Sequence, residues 1–190
     1  MLRGHQDMAK LKKVKPKSIT IKDSFGRFRC PLRVTSIRRI DMKMIIPKPL
    51  KLEHKELHGK LVEAIKTSGP IGKAAEAVAK ILHPHFVKEE EYALPPLGLL
   101  KALTTGKAPK DTRDVLVMTD KLKKDLSNML KEHKAIVASL EKLVAVARKE
   151  KRQDIVHFAK KLMLHAKTEE EVLYPAAILI GEFIRLKLRG

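Results

Sequence analysis

The sequence predicts an all-α fold, an antiparallel up-down-up-down four-helix bundle built from two repeated helical hairpins. Three observations predict it. The pattern H-x3-E-E-E-x3-P occurs twice, from His85 and from His165, 80 residues apart. A second pair, Glu53-His54-Lys55 and Glu132-His133-Lys134, recurs at a spacing of 79. Five Phe, two Tyr and no Trp, in a chain rich in Leu, Ile, Val, Ala and Lys, favour aliphatic helix packing over a sheet.

At 190 residues the chain is long enough for one domain and an appendage. Residues 1–44 read as the appendage, and 45–190 as the helical domain. Of the net charge of +19, the first 50 residues carry 14 Lys/Arg against 3 Asp/Glu. Short alternating stretches there, Ser18-Ile-Thr-Ile and Phe25-Gly-Arg-Phe-Arg, suit edge strands or disorder. Three readings stay open for this segment: a basic arm that touches nucleic acid or an anionic surface, a poorly ordered solvated tail, and a start called too far upstream. Met42 and Met44 directly precede the first helix, which is the ground for the third.

Pro47 and Pro49 lead into a first helix over about Leu50 to Thr67, with Leu50, Leu57, Leu61, Ala64 and Ile65 on one face. Ser68-Gly69-Pro70 ends it. The second helix, Ile71 to about Tyr92, contains Pro84, which removes a hydrogen bond and predicts a kink beside His85. Pro95-Pro96 closes it, and residues 97–110 form a connection with a short helical turn. Asp111 or Thr112 caps a third helical region reaching Lys149. Nearly 40 residues exceed a usual bundle helix, so a break is expected around Asp125–Asn128. A turn near Arg152-Gln153 leads to helix four, Asp154 to Tyr174, and Pro175 kinks or restarts it as a tail helix ending in Arg185, Lys187 and Arg189.

Residues four apart on a helix lie about 40° apart and one turn along, so each H-x3-E aims an imidazole and a carboxylate at one point. The repeat then brings His54, His85 with Glu89, His133, and His165 with Glu169 to the bundle interior. Two carboxylates buried together without cations would be costly, so two metal ions fit this set better than one. Imidazole and carboxylate without thiolate suit iron, with manganese or zinc as alternatives. His58, four residues after His54, is a candidate further ligand, although its repeat mate is Val137. His157 and Tyr174 are candidates to orient ligands from outside the set. Glu90, Glu91, Glu170 and Glu171 lie roughly 100° to 160° around the helix from their histidines and read as solvent-facing or supporting groups.

These residues resemble the hemerythrin-like HHE cation-binding domain. The match runs through His54, His85-x3-Glu89, His133 and His165-x3-Glu169, with an E-E-x2-[L/Y]-P tail after each pair, over about residues 45–188. The resemblance implies a bundle with a non-haem di-iron centre and roles in dioxygen binding, in redox, oxygen or nitric-oxide sensing, or in iron handling. Oxygen-carrying hemerythrins have five histidines and His-x4-Asp on the last helix, whereas this chain has His165-x3-Glu169.

The function expected is therefore a metal-binding protein that binds or senses a small molecule such as dioxygen, with a redox partner where the role demands one. An oxidoreductase acting on peroxide or nitric oxide is the second class, and a nucleic-acid-associated regulator using the basic arm the third. The single cysteine, Cys30, excludes an intramolecular disulfide and a thiolate zinc site. No apolar run reaches the roughly 18 residues needed to span a bilayer, and no signal-like apolar stretch follows the basic start. The cytoplasm is expected. One Asn and two Gln beside abundant charge suggest a protein from a hot environment.

Overall fold

The computed structural model describes residues 45–106 and 112–189, so the basic segment 1–44 and the readings attached to it lie outside the described residues. All regular structure among the described residues is helical. Four helices form the body, α1 Lys48–Ile65, α2 Pro70–Lys88, α4 Arg113–Lys149 and α5 Gln153–Thr168. A short α3, Leu100–Thr104, and a C-terminal α6, Tyr174–Arg189, as long as α5, complete it. None of these helices is long and apolar enough to cross a membrane.

Local sequence explains the boundaries. Pro47, with φ −49° and ψ 131°, delivers an extended chain into α1, and Pro49 sits in the first turn where its missing N–H costs nothing. Gly69 adopts φ 79°, a left-handed conformation that a side chain would resist, and Pro70 then opens α2. The chain stays helical through Pro84. The departure from α geometry comes instead at Glu89–Ala93, a π-helical turn in which the Leu94 N–H reaches the Glu89 carbonyl at 2.9 Å. A matching π turn spans Glu169–Leu173, where the repeat mate of Pro84 is Leu164. Pro84 is therefore not its cause. The shared elements are Pro95 and Pro175, two residues beyond each turn; each lacks an N–H and crowds the carbonyl four residues back, which a widened turn relieves. After Pro95 the chain tightens into a 3₁₀ segment, Pro95–Leu99, whereas Pro175 is absorbed in the first turn of α6.

The expected break at Asp125–Asn128 is absent. α4 is one helix of 37 residues. Its length is sustained because it has buried partners throughout: α4 packs against α2, α5 and α6, while α1 packs against α2 and α5. At the expected break Asp125 accepts hydrogen bonds from the Tyr92 hydroxyl at 2.7 Å and from Asn128 at 2.9 Å.

Buried apolar residues form two clusters. One contains Leu57, Leu61, Leu82, Phe86, Ile136, Leu140, Phe158 and Leu162 among others. The second contains Tyr92, Leu94, Leu97, Leu122, Met129, Tyr174, Ile180 and Ile184. Along the chain His133, Glu169 and Glu89 fall between residues of the two clusters, whereas His85 stands between Leu82 and Phe86 of the first. Apolar packing on both sides holds these buried side chains in fixed rotamers.

In the second cluster α6 meets α4 closely at Gly181, where an added Cβ would lie 2.7 Å from Thr119 Cβ. Gly181→Ala is expected to destabilise by about 1–3 kcal/mol in thermal or urea unfolding. A Gly181→Ala protein as stable as the original would show that the two helices separate freely.

Candidate metal centre

Six side chains converge in the interior. His54 comes from α1, His85 from the last turn of α2, His133 from the middle of α4 and His165 from the last turn of α5. Glu89 and Glu169 stand at the first positions of the two π turns. All six are buried, the two carboxylates to 0% and 1% exposure. The wider π turn and the helix spacing together place each glutamate beside its own histidine: His85 Nε2 lies 3.0 Å from Glu89 Oε1, and His165 Nε2 lies 3.1 Å from Glu169 Oε1.

The imidazoles fall into two pairs. The His85 and His133 rings are 4.5 Å apart, and the His54 and His165 rings 5.0 Å apart. Each carboxylate reaches both pairs. Glu169 places Oε1 at 3.4 Å from His54 Nε2 and Oε2 at 3.5 Å from His133 Nε2. Glu89 places Oε1 at 3.7 Å from His133 Nε2 and Oε2 at 3.8 Å from His54 Nε2. Bonds of about 2.1 Å to a first-row ion put its adjacent ligands about 3.0 Å apart, so these separations are those of donor atoms around a cation. Two groups have donor atoms that all lie within 4.8 Å of one another, His85, Glu89, His133 and Glu169, and His54, His165 and Glu169, with Glu169 common to both.

Unmet polar demand points the same way. Glu89 Oε2, His165 Nε2 and His54 Nδ1 are buried and have no hydrogen-bond partner. Native interiors rarely leave such atoms unsatisfied, and a cation would satisfy the first two. The electrostatics agree. Burial works against a charged His133, but the facing Glu169 and Glu89 carboxylates overcome it and hold the imidazole up to about 10. His85 and His165 are likewise raised, burial again being outweighed by their neighbouring glutamates. Burial would push the Glu169 carboxyl up, yet His133, His165 and His54 hold it well below the ordinary range. Two buried carboxylates demand positive charge, and imidazole nitrogen with carboxylate oxygen suits iron, manganese or zinc.

Each histidine has a second carboxylate near its other ring nitrogen, within hydrogen-bond distance at His85 and His133. Glu132 lies 2.8 Å from His85 Nδ1 and Glu170 lies 2.9 Å from His133 Nδ1. Glu53 stands 3.5 Å from His165 Nδ1 and Glu90 3.6 Å from His54 Nδ1. The arrangement obeys the repeat, Glu53 with Glu132 and Glu90 with Glu170. At His85 and His133 the carboxylate on Nδ1 holds the proton there and turns the Nε2 lone pair inward, the orientation a metal requires. Glu170 thus supports a ligand and Glu90 stands close to one, while Glu91 and Glu171 stay exposed and pair with Lys121 and Lys167. Reading each helix alone misses Glu53 and Glu132; the repeated glutamate before His54 and His133 is the signal that marks them. Glu132→Ala is expected to weaken metal binding about 10–100-fold in a chelator competition, with Glu91→Ala unchanged. Equal affinities for the two variants would remove the orienting role.

The remaining candidates divide. Tyr174 is fully buried and donates a hydrogen bond to Glu89 Oε1, and its hydroxyl oxygen lies 3.4 Å from His85 Nε2 and 3.3 Å from His133 Nε2. Burial and the charges of Glu89 and Glu169 push its phenol far up, so it acts as a donor. His58 is exposed, and its ring is 6.2 Å from that of His83, outside both groups, although its i+4 relation to His54 is that of the ligand pairs. His157 is exposed as well, two turns from His165.

No curated protein and no solved structure matches the chain. The family model of the hemerythrin HHE cation binding domain matches residues 47–177, a span that contains α1 through the first turn of α6 and every side chain of the buried His/Glu cluster. With that span and that cluster together, the chain belongs to the hemerythrin HHE cation-binding domain family.

Proposed function

We propose that the cluster holds two iron ions, one at His85 and His133 and one at His54 and His165, with Glu89 and Glu169 shared between them. The observation that carries this is the reach of each carboxylate to both imidazole pairs. The four histidines and the two carboxylates would hold the ions, and iron, when bound, would supply the redox chemistry that a small ligand such as dioxygen or nitric oxide needs. The aliphatic clusters on either side exclude water. Tyr174 holds a proton at its hydroxyl within the same space, and Glu132 and Glu170 hold protons at the Nδ1 atoms of His85 and His133. The arrangement proposed for the four helices is up-down-up-down, with α1 beside α5, where Glu56 pairs with Lys161. The role is binding or sensing, or the handling of iron, and the cytoplasm is its setting on the evidence of composition.

Metal analysis of protein purified from iron-replete cells tests the proposal: about two irons per chain are expected. Anaerobic loading followed by oxygen should then give a charge-transfer spectrum that reverses on deoxygenation. Absence of any transition metal would overturn the proposal, and two manganese or zinc ions would overturn its choice of iron.

One observation favours the second reading, an oxidoreductase acting on peroxide or nitric oxide with electrons from a partner. Tyr174 puts a proton among the ligand atoms at the His85–His133 end, where its repeat mate in the other half is Leu94. For an oxidoreductase, Tyr174→Phe is expected to lower peroxide turnover at least about 100-fold while both ions remain. For a binding protein the same variant changes ligand release alone.

A further inference from the structure

The face of the molecule between α1 and α2 carries a groove of about 580 Å³ that reaches His54 from outside and contains none of the other five interior donors. Lys48, Lys51 and Lys55 line it from α1, against a single acidic group, Glu90. His58 and His83 stand together in its wall, their ring centroids 6.2 Å apart, and each imidazole offers an N–H in either charge state. The apolar part of the lining is Leu52, Phe86 and Val87. Leu52 and Val87 are 55% and 49% exposed, a considerable apolar area to leave in water. His54 lies beneath, stacked on Phe86 at 4.3 Å between centroids, and its buried Nδ1 has no hydrogen-bond partner.

The internal repeat supplies a control. A groove of about 470 Å³ lies over His133 on the other half of the molecule, where the repeat places Lys134 for Lys55, Val137 for His58, Met163 for His83, Ala166 for Phe86 and Lys167 for Val87. There two lysines face Glu141, Glu170 and Glu171, and His133 Nδ1 is satisfied by Glu170 at 2.9 Å. The two grooves share backbone architecture but have opposite charge. Chemistry, then, distinguishes them where geometry does not.

We propose that the groove between α1 and α2 binds a small amphipathic anion, its charged head among Lys51, Lys55 and the His58–His83 pair and its apolar body on Leu52, Phe86 and Val87. Lys51, Lys55 and His58 follow one another at i, i+4 and i+7 and so share one face of α1, with Leu52 beside them. Desolvation of Leu52 and Val87 supplies affinity, and the lysines select the sign of the head group. The ligand would touch His54 and Glu90 from outside, on the side away from the interior donor atoms. The inference requires no metal.

Octanoate is the probe, titrated into the metal-free full-length chain by calorimetry and by amide NMR. Binding of one octanoate is expected, with the shifts centred on Lys51, Leu52 and Val87. Lys51→Glu combined with Lys55→Glu should weaken it about tenfold or more, and Leu52→Asp similarly. Lys134→Glu, in the companion groove, should leave the affinity within about twofold. Octylammonium and octanol should bind at least about tenfold more weakly than octanoate, and inorganic phosphate should fail to displace it. Shifts confined to the companion groove or to residues 1–44 would overturn the proposal. Equal binding of octylammonium would overturn the selection by charge, and displacement by phosphate the role of the apolar wall. Helical circular dichroism of each variant, all changed at exposed positions, reports that the fold is intact. Because the titration uses metal-free protein, its failure leaves the reading of the iron centre standing, and loss of that reading leaves the groove standing.

Discussion

Replacing either Glu89 or Glu169 by alanine is expected to empty the centre of both ions, from about two metals per chain to nearly none. The reason is geometric. Neither carboxylate belongs to one imidazole pair; each has an oxygen within 3.8 Å of both. Deleting one therefore removes a donor and a negative charge from both positions at once. His165→Ala is the contrasting change, since His165 belongs to the His54 end and the other group keeps His85, Glu89, His133 and Glu169. It should lower the content to about one ion. Metal analysis after dialysis against a weak chelator distinguishes the cases, with circular dichroism as the check on folding. A Glu89→Ala protein that retains two ions, or loses only one, would show that the carboxylates are not shared.

Leu122→Ala is expected to destabilise the protein by about 2–5 kcal/mol, on the order of 10 °C in Tm, in a single cooperative transition. Leu122 is fully buried in the second apolar cluster, remote along α4 from His133 and from the first cluster at Ile136, Leu140 and Leu143. Because α4 is continuous from Arg113 to Lys149, the loss in one cluster should be felt by both. Leu140→Ala, in the first cluster, should act with similar size on the same transition. Scanning calorimetry and far-ultraviolet circular dichroism would read both variants. Two separated transitions in Leu122→Ala would mean that the helix transmits nothing past the metal centre, and that the clusters fold as independent units.

The contrast between these two regions shows what a one-dimensional reading captures. His85 with Glu89 and His165 with Glu169 were legible because a metal site built on helices writes its ligands at i and i+4, and because the repeat writes them twice. His54 and His133 carried no such spacing of their own and became legible through the repeated Glu-His-Lys. Their acidic neighbours did not. Glu90 and Glu170 lie about 100° around the helix from the ligand glutamates before them, and only an adjacent helix brings them to the Nδ1 atoms of His54 and His133. His58 fails in the opposite sense. Its i+4 relation to His54 is that of a ligand pair, but helical spacing alone does not say on which side of the shared face the interior lies, and the packed helix leaves it exposed.

By itself the sequence determined the all-helical class, the twofold repetition, the family and the six interior donors proposed as ligands, because amphipathic periodicity and ligand spacing are local properties of a helix. Tertiary structure decided the rest. The unbroken α4 depends on a second apolar cluster assembled from the Tyr92–Leu99 region and α6, and no window of α4 alone contains that support. The displacement of irregularity from Pro84 to the two π turns depends on how Pro95 and Pro175 meet the helices that precede them. Sharing of both carboxylates between the imidazole pairs, and the carboxylate behind every histidine, require four helices at fixed separations. Those are distances between segments far apart in the chain, set by side-chain packing at interior density and not by the order of residues along any one helix.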